Sequence, residues 1–381
     1  MTSNLRRAAG SLLVVGLSGT ELSGLERAWL RVVQPAGVIL FRRNIVDAGQ
    51  TRVLLAEATG LCAGHAFRCV DVEGGSVDRL RDALAALPSA QAVALAALKS
   101  NNPALAREHG ELIAQGVRAF GFNVTLAPVL DLALPESAAV MGSRAAAGTA
   151  DGVIAFAREF FAGLAAHGVV GAGKHFPGLG GGTLDSHADT PGIRRKWDDL
   201  WREDLAPYRA LRDVMPMVMV NHASYPDTPG KTLPATASPF WISKVLRKQL
   251  GYRGLIFSDD MEMGGILKFL PIEEATITAI RAGMGTLEIC HSPELILRAY
   301  EALMHEAETS ATFRWLLLQR ARDAARKRER MFAAGVPEGL APSKFEDLRN
   351  QIERFRESVN KLAEGPRLVA HVEDRPVVET A

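Results

Sequence analysis

The segment VVGAGKHFPGLGG, residues 169–181, decides the fold that we expect for this chain. It opens with a short apolar run that ends in Lys174 and His175, and Pro177 then stops the run before a glycine-rich loop. A short apolar run bounded by turn residues is typical of a buried strand. Because polar residues do not alternate strictly within it, we expect a strand that is buried on both faces, as in a parallel sheet.

Seven further runs of this kind occur along the chain, and segments with helical periodicity lie between them. Alternating strands and helices predict a parallel α/β fold. Eight such units favour a closed (β/α)8 barrel, the TIM barrel, over a doubly wound open sheet, for which no GxGxxG follows the first run. The eight runs are LLVVGL (12–17), GVILF (37–41), FRCVDVE (67–73), VTLAPVLDL (124–132), VVGAGKHF (169–176), MVMVNHAS (217–224), GLIFSDD (254–260) and TLEICH (286–291).

The two ends of the chain need separate interpretations. The basic start and apolar run of LRRAAGSLLVVGLSG also resemble a signal peptide, but we favour the first strand because the barrel needs it. We expect a single catalytic barrel domain over residues 1–310, a C-terminal helical extension over 311–365 and a disordered tail over 366–381. In the extension, residues 315–318 are expected to pack on the barrel, and the arginines to face solvent: Arg320, Arg322, Arg326, Arg328 and Arg330.

Composition narrows the classes of partner. The 381 residues carry a formal net charge of +1, which gives no reason to expect nucleic acid or an anionic membrane as a partner. No apolar run approaches the 18 or so residues of a membrane span. The three cysteines are scattered, as expected for reduced thiols in a cytoplasm. We expect a monomer.

Ionisable residues collect at the ends of the predicted strands. In a (β/α)8 barrel these ends form one rim, where active sites are built. Asp185 and His187 follow in the glycine-rich loop, at a spacing that lets the carboxylate orient the imidazole as a proton donor and acceptor near neutral pH. The rim residues are Asp71 and Glu73, Asp131 and Arg144, Lys174 and His175, Asn221 and His222, Asp259 and Asp260, and His291.

The order of motifs resembles glycoside hydrolase family 3 and, within it, the bacterial β-N-acetylhexosaminidases of peptidoglycan recycling (NagZ-type enzymes). The resemblance covers roughly residues 10–300 and rests on GVILFRRN, VDVEGGSVDR, FNVTLAPVLDL, KHFPG, DSH, MVNHASYP and FSDDMEM. It implies a single barrel that hydrolyses a terminal β-linked N-acetylglucosamine, with a carbohydrate as its partner. It implies no metal and no other cofactor.

The resemblance also implies a role for individual residues. Asp259 is expected to be the nucleophile, His187 the general acid/base and Asp185 its orienting partner. From the sequence alone, Asp260 is an equal candidate for the nucleophile. Neighbouring strand residues point to opposite faces, and the sequence does not say which of the two faces the site. The terminal sugar is expected to bind Asp71, Arg79, Arg144, Lys174 and His175.

Three positions depart from the pattern of the family and leave the substrate range open. Leu179 replaces the last histidine of KHFPGHG, Ser76 replaces the arginine of EGGRV, and the eighth strand has Gly285 without the usual Gly-x-Asp. A β-glucosidase, a glycoside phosphorylase and a degenerate sugar-binding barrel remain alternatives. A metal-dependent hydrolase is another; its ligands would be His175, His187, His222, His291 and Asp259. The other histidines, His65, His109, His167, His305 and His371, are expected on the surface or at helix ends.

Overall fold

The chain folds into the expected (β/α)8 barrel. The computed structural model describes residues 2–182, 192–333, 335 and 340–364. In this part of the chain eight parallel strands close into a barrel in the order β1-β2-β3-β6-β7-β8-β9-β10. The barrel strands are β1 (Leu13–Gly16), β2 (Gly37–Leu40), β3 (Phe67–Val70), β6 (Val124–Thr125), β7 (Val170–Phe176), β8 (Met217–Val220), β9 (Leu255–Asp260) and β10 (Thr286–Ile289); β4 (Val72–Gly74) and β5 (Val77–Asp78) form a small antiparallel hairpin.

Helices surround this barrel. The helical periodicity between β7 and β8 corresponds to two short helices, α8 (Trp197–Arg202) and α9 (Ala206–Leu211), and the second has Pro207 in its first turn. None of the described helices is both long and apolar enough to cross a bilayer. The helices are α1 (Thr2–Gly10), α2 (Gly24–Val33), α3 (Ala48–Thr59), α4 (Ala90–Ser100), α5 (Ala104–Ala119), α6 (Ala138–Met141), α7 (Ala150–Ala166), α8 (Trp197–Arg202), α9 (Ala206–Leu211), a π-helical segment (Phe240–Gln249), α10 (Gly264–Leu267), α11 (Ile272–Ala282), α12 (Pro293–Thr309), α13 (Ala311–Met331) and α14 (Pro342–Ala363).

The first apolar run forms a barrel strand. Strand β1 pairs with β10 on one side and with β2 on the other, and its four residues are buried. It therefore closes the barrel, as the strand interpretation of this segment predicted. Helix α1 precedes it and packs against α12 and α13.

The C-terminal segment is helical, but two of its side chains are placed differently from the prediction. The buried stripe of α13 runs through Phe313, Leu317 and Arg328 at helical spacing. Trp315 lies off this stripe and is 63% exposed, whereas Arg328 lies on it and is 2% exposed. The Arg328 guanidinium donates to the carbonyls of Ser11 and Ala63 beneath the barrel, at 2.8 and 3.3 Å. Packing on the barrel was thus wrongly predicted for Trp315, and solvent exposure for Arg328.

His109 is a second correction. It lies in the middle of α5 and is fully buried, packed against Phe156, Phe160 and Phe355. Burial lowers the pKa of its imidazole to about 3. Because Phe355 belongs to α14, this histidine helps to join the C-terminal helix to the barrel. The predicted disordered tail, residues 366–381, lies outside the described residues.

Candidate active site

The rim at the carboxyl ends of the barrel strands brings most of the predicted site residues together. Asp71 follows β3, Lys174 and His175 end β7, and Asp259 lies at the end of β9. Arg144 reaches the same rim from a short 3-10 turn between β6 and α7. These positions agree with the rule that active sites of this fold are built at the carboxyl ends of the strands.

Four charged side chains form a compact network on one side of the rim. The Lys174 ammonium lies 2.9 Å from Asp71 Oδ1 and 2.6 Å from Glu73 Oε1. Arg144 donates from Nε and Nη2 to the two oxygens of Glu73, at 2.9 and 2.8 Å. We call these four residues the paired cluster, because two cations face two carboxylates. A bidentate guanidinium–carboxylate pair fixes orientation as well as distance.

The paired cluster is largely buried, and its opposite charges stabilise one another. Burial would raise the pKa of the Glu73 carboxyl, but Arg144 and Lys174 outweigh it and hold that pKa well below its usual range. Burial likewise opposes the charge on Lys174, and Asp71 and Glu73 raise the pKa of its ammonium. The side chains of Lys174 and Glu73 are each 3% exposed, so solvent hardly screens these pairs. The sequence placed Glu73 at the rim without a role in sugar binding, yet it is the residue shared by both cations.

His175 is held by Asp131 in one orientation. Its Nδ1 lies 2.6 Å from Asp131 Oδ2, and Arg144 Nη2 lies 3.4 Å from its Nε2. Since the guanidinium has only donors, this arrangement suits the neutral tautomer with the proton on Nδ1. Asp131 also accepts from the backbone N–H groups of His175 and Leu179, at 3.2 and 2.6 Å. At Leu179, where the family usually has histidine, the backbone thus keeps a contact with the site.

Arg79 lies beside the paired cluster, at the end of the β4–β5 hairpin. Its backbone N–H donates to the carbonyl of Asp71 at 3.1 Å. Its guanidinium lies over the ring of Phe41, 5.7 Å from the centroid, and Arg43 lies over the same ring at 4.7 Å. Such cation–aromatic contacts are favourable and orient both arginines. Arg79 is therefore at the rim, where the sequence predicted it.

Asp259 and Asp260 have different surroundings, although they are neighbours on β9. Asp260 accepts from the backbone N–H groups of Glu262 and Cys290, at 3.0 and 3.2 Å, and its own carbonyl contacts His222 Nε2 at 2.9 Å. Burial, reinforced by the carboxylates of Glu262 and Asp259, raises the pKa of Asp260 to about 7. A carboxyl that stays protonated to pH 7 and binds loop backbone is a poor nucleophile. This difference favours Asp259.

His222 and His291 flank the two aspartates. His222 is fully buried, and its Nδ1 lies 2.8 Å from Thr236 Oγ1. Its Nε2 contacts the Asp260 carbonyl, so His222 links the end of β9 to Thr236. His291 lies farther out, with Nδ1 3.1 Å from Arg43 Nη1 and Nε2 3.6 Å from Asp260 Oδ2. Glu262 accepts from the backbone N–H of His291 at 3.0 Å. Among the described residues, no three His, Cys, Asp or Glu side chains are grouped so that they could hold a metal ion.

Two predicted site residues cannot be placed. Asp185 and His187, the expected acid/base pair, lie in the stretch 183–191, which is outside the described residues. The loop that leads into this stretch starts at Gly178, and Tyr225 donates from its hydroxyl to the Gly178 carbonyl at 2.7 Å. At Gly178 φ is +136°, a backbone conformation that a side chain would strain.

The sequence interpretation missed Glu288 on β10. This residue is 3% exposed, and its Oε1 has no hydrogen-bond partner in the part of the chain that the structure describes. One signal was available, because Glu288 is the single acidic residue in the apolar run TLEICH. Charged residues are almost never fully buried unless they are paired, so an acidic residue in a buried strand indicates a functional or structural role.

Comparisons with known proteins agree with this geometry. Residues 5–314 match the model of the glycosyl hydrolase family 3 N-terminal domain. A β-hexosaminidase of Stenotrophomonas maltophilia is 36% identical over 311 residues, which cover 80% of this chain and 91% of that protein. A β-hexosaminidase of Alkalilimnicola ehrlichii is 38% identical over 289 residues, or 74% of this chain and 82% of that protein.

Solved structures give the same relationship. A family 3 β-N-acetylglucosaminidase from a Paenibacillus species superposes with a TM-score of 0.82 at 29% identity, covering 92% of this chain and 68% of that one. NagZ from Neisseria gonorrhoeae superposes with a TM-score of 0.76 at 28% identity, covering 93% of this chain and 98% of that one. The barrel, the rim and these matches agree, and the chain belongs to glycoside hydrolase family 3 and is a glycoside hydrolase.

Proposed function

We propose that this glycoside hydrolase is a retaining β-N-acetylhexosaminidase, which removes a terminal β-linked N-acetylglucosamine through a covalent intermediate on Asp259. The observation that carries the proposal is the placement of Asp259 on the same rim as the paired cluster. One side of the rim can hold the polar groups of a sugar while the other presents a carboxylate to its anomeric carbon. The relatives named β-hexosaminidase support the choice of sugar.

In the first half of the reaction, Asp259 attacks the anomeric carbon while the bond to the leaving group breaks. His187, oriented by Asp185, donates a proton to the departing oxygen. The transition state resembles an oxocarbenium ion, so the negative charge of Asp259 stabilises it before the covalent bond is complete. Asp260 assists by accepting from Glu262 in the loop after β9 and from Cys290 directly after β10, which holds these two segments together.

In the second half, water attacks the same carbon from the face that the leaving group vacated. His187 accepts a proton from this water, and the bond to Asp259 breaks, which restores the carboxylate. Two displacements at one carbon give net retention of the β configuration. A histidine in this role differs from the usual pair of carboxylic acids and suits proton transfer near neutral pH.

The terminal sugar is assigned to the paired side of the rim. Asp71 can accept from sugar hydroxyls, and Lys174 can donate to their oxygens from its position between Asp71 and Glu73. Arg79, Arg144 and His175 complete the set that would hold the hydroxyls and the acetamido group. Because Lys174 and Arg144 are already fixed by carboxylates, little conformational entropy is lost when the sugar binds.

We assign the natural substrate to peptidoglycan fragments, in which N-acetylglucosamine is β-linked to a muramic acid derivative, and the setting to the bacterial cytoplasm. The NagZ structure among the matches supports this assignment. The thiols of Cys62, Cys69 and Cys290 are free, which agrees with a reducing compartment. The proposal needs no metal and no organic cofactor.

The test of this proposal is hydrolysis of p-nitrophenyl β-N-acetylglucosaminide by the wild type, with EDTA and with phosphate omitted. We expect turnover in both conditions and a loss of about 10⁴-fold or more in Asp259→Asn, since the nucleophile is removed. The matched substitution Asp260→Asn is expected to lower kcat/KM by less than about tenfold, or 1.4 kcal/mol. Asparagine can still accept from the two backbone N–H groups that bind Asp260.

Other outcomes would overturn parts of the proposal. Activity that requires added phosphate would make the enzyme a phosphorylase, and activity only on the β-glucoside would change the sugar. Loss of turnover in EDTA would favour a metal-dependent hydrolase. His187→Ala should slow aryl glycosides with poor leaving groups most, because a good leaving group needs little protonation. Equal losses for both kinds of substrate would contradict the acid role.

A further inference from the structure

Glu288 is a buried carboxyl that the proposed reaction leaves without a role. It lies on β10, where its Cα is in register with Asp260 on β9 and Val14 on β1. Its backbone is fixed from β9, because its N–H donates to Ser258 Oγ at 2.9 Å and its carbonyl accepts from Met261 at 2.8 Å. The residue is 3% exposed, yet Oε1 has no hydrogen-bond partner among the described residues.

The groups whose charges act on Glu288 lie on or directly after four strands, β3, β7, β9 and β10. Strand β3 contributes the thiol of Cys69, Asp71 directly follows that strand, and β7 contributes the ammonium of Lys174. Strand β9 contributes the carboxyls of Asp259 and Asp260, and Cys290 directly follows β10. Glu288 therefore borders the active site, and three of the groups around it are carboxyls.

Lys174 is the cation that acts on Glu288 among the largest electrostatic influences of the described residues, and its ammonium is already bound to other carboxylates. Lys174 is bound to Asp71 at 2.9 Å and to Glu73 at 2.6 Å. An ionised Glu288 would compete with Asp71 for Lys174 and would add a negative charge beside Asp259. Burial, reinforced by Asp71, Asp260 and Asp259, raises the pKa of the Glu288 carboxyl well above its usual range. Burial with unpaired like charges is the standard way in which proteins keep a carboxyl neutral.

We propose that Glu288 is a positioning residue for the reaction and borders the site as a neutral carboxylic acid. Because it carries no charge, Lys174 stays paired with Asp71, and Asp259 is the anion that faces the sugar. The inference rests on the proposed function, since it assigns the sugar to Asp71 and Lys174. Glu288 does not itself exchange a proton with the substrate. Its ionisation at alkaline pH is the event that disturbs sugar binding.

The kinetic test compares pH profiles of the wild type, Glu288→Gln and Glu288→Leu. In the wild type we expect KM to rise at alkaline pH while kcat changes less, because the disturbed contact is between Lys174 and Asp71. Both variants lack the ionisable group, so their rise in KM should move upward by at least one pH unit or disappear. The glutamine variant, which keeps the shape and polarity, should keep more of the activity at neutral pH than the leucine variant.

Two kinetic results would overturn the inference. If Glu288→Gln shows the same alkaline rise in KM as the wild type, another group causes it. If the substitution lowers kcat and makes the rate depend more strongly on the leaving group, Glu288 transfers a proton itself. An inactive wild type would count against the proposed function instead, so the two failures are distinguishable.

An infrared measurement tests the protonation state without any need for activity. Carbon-13 labelling of glutamate alone shifts the carbonyl band of a protonated glutamic acid and leaves that of aspartic acids, including Asp260, in place. We expect a glutamic acid band in the labelled wild type at pH 7 and its loss in Glu288→Gln. If the labelled wild type has no such band at pH 7, Glu288 is ionised and the inference is wrong, whether or not the variants fold.

Discussion

The two sides of the barrel rim use acidic residues in opposite ways. On the side of β3, β4 and β7, Asp71 and Glu73 are matched by Lys174 and Arg144 at distances of 2.6–2.9 Å. On the side of β9 and β10, which we call the acid side, Asp259, Asp260 and Glu288 lie together, and burial raises the pKa of two of them.

Burial alone does not decide the charge of a carboxyl at this rim. Glu73 and Glu288 are each 3% exposed, but their pKa values move in opposite directions. Glu73 is paired directly with Arg144 and Lys174, whereas the strongest charges acting on Glu288 are those of other carboxyls. A paired carboxylate gives a rigid, charged surface for binding a polar sugar. Neutral acids next to Asp259 keep the nucleophile from being surrounded by other negative charges.

The largest effect is expected from breaking the paired cluster with Glu73→Gln. This change leaves the buried charges of Arg144 and Lys174 with one carboxylate between them, and losing one partner of a buried pair costs about 3–5 kcal/mol. We expect the free energy of unfolding to fall by about that amount and KM to rise at least tenfold, as measured by urea unfolding and steady-state kinetics.

The same substitution on the surface is the control for this prediction. Glu273→Gln removes a carboxylate that pairs with Arg298 at 2.8 Å, but both side chains are well exposed. We expect no measurable change in unfolding or in KM. If Glu73→Gln is as mild as Glu273→Gln, the paired cluster does not hold the site together and the comparison between the two sides fails.

On the acid side, Asp260→Asn is expected to stabilise the protein as the pH rises. The folded protein keeps the proton of Asp260 up to about pH 7, whereas the unfolded chain loses it near pH 4. Between these values the folded wild type binds more protons than the unfolded chain, so it loses stability as the pH increases. Asparagine does not ionise, so the variant does not lose stability in this way as the pH increases.

The measurement is urea unfolding of Asp260→Asn and the wild type at pH 4 and pH 8. Relative to its value at pH 4, the difference in free energy of unfolding should move in favour of the variant by up to about 4 kcal/mol at pH 8, as a shift of about three pKa units predicts. A difference that is independent of pH would mean that Asp260 titrates normally.

The smallest effect is expected from His291→Phe, at the outer edge of the acid side. The ring can keep its contact with Phe41, whose centroid lies 5.3 Å away, while the 3.1 Å contact of Nδ1 with Arg43 and the 3.6 Å approach of Nε2 to Asp260 are lost. The side chain of His291 is 36% exposed, and exposed pairs contribute about 0–1 kcal/mol. Thermal unfolding should therefore change by no more than about 2–4 °C. A larger loss would make His291 a structural part of the acid side.

Most of the barrel could be predicted from the sequence because each strand is a short apolar run between turn signals. All eight runs contain the strands that form, and the largest difference is at β6, which ends at Thr125 although the run continues to Leu132. Pro128 explains this difference, since proline has no N–H to donate to a neighbouring strand. His109 was wrongly predicted to lie on the surface or at a helix end. Its spacing from Leu105, Leu112 and Ile113 puts it on the buried stripe of α5.

The site was predicted less completely, for a physical reason. Strand ends and motifs located Asp71, Arg79, Arg144, Lys174, His175 and Asp259 at one rim, but partners depend on distances that the sequence does not contain. Asp131 was recognised as a rim residue, whereas its hold on His175 and Leu179 depends on how the turn after β7 folds. Glu288 was missed because an acidic residue in an apolar run does not reveal which face of the strand it occupies.

Covalent attack by Asp259 is the central step of the proposed reaction, and a trapping experiment tests it directly. A 5-fluoro N-acetylglucosaminide with a good leaving group should slow both steps, because fluorine destabilises an oxocarbenium-like transition state, while the leaving group still allows the first step to occur. Trypsin then releases residues 254–268, which contain both Asp259 and Asp260. We predict that this peptide gains one sugar and that fragmentation places the sugar on Asp259. A sugar on Asp260, or turnover of the probe with inversion and no adduct, would contradict it.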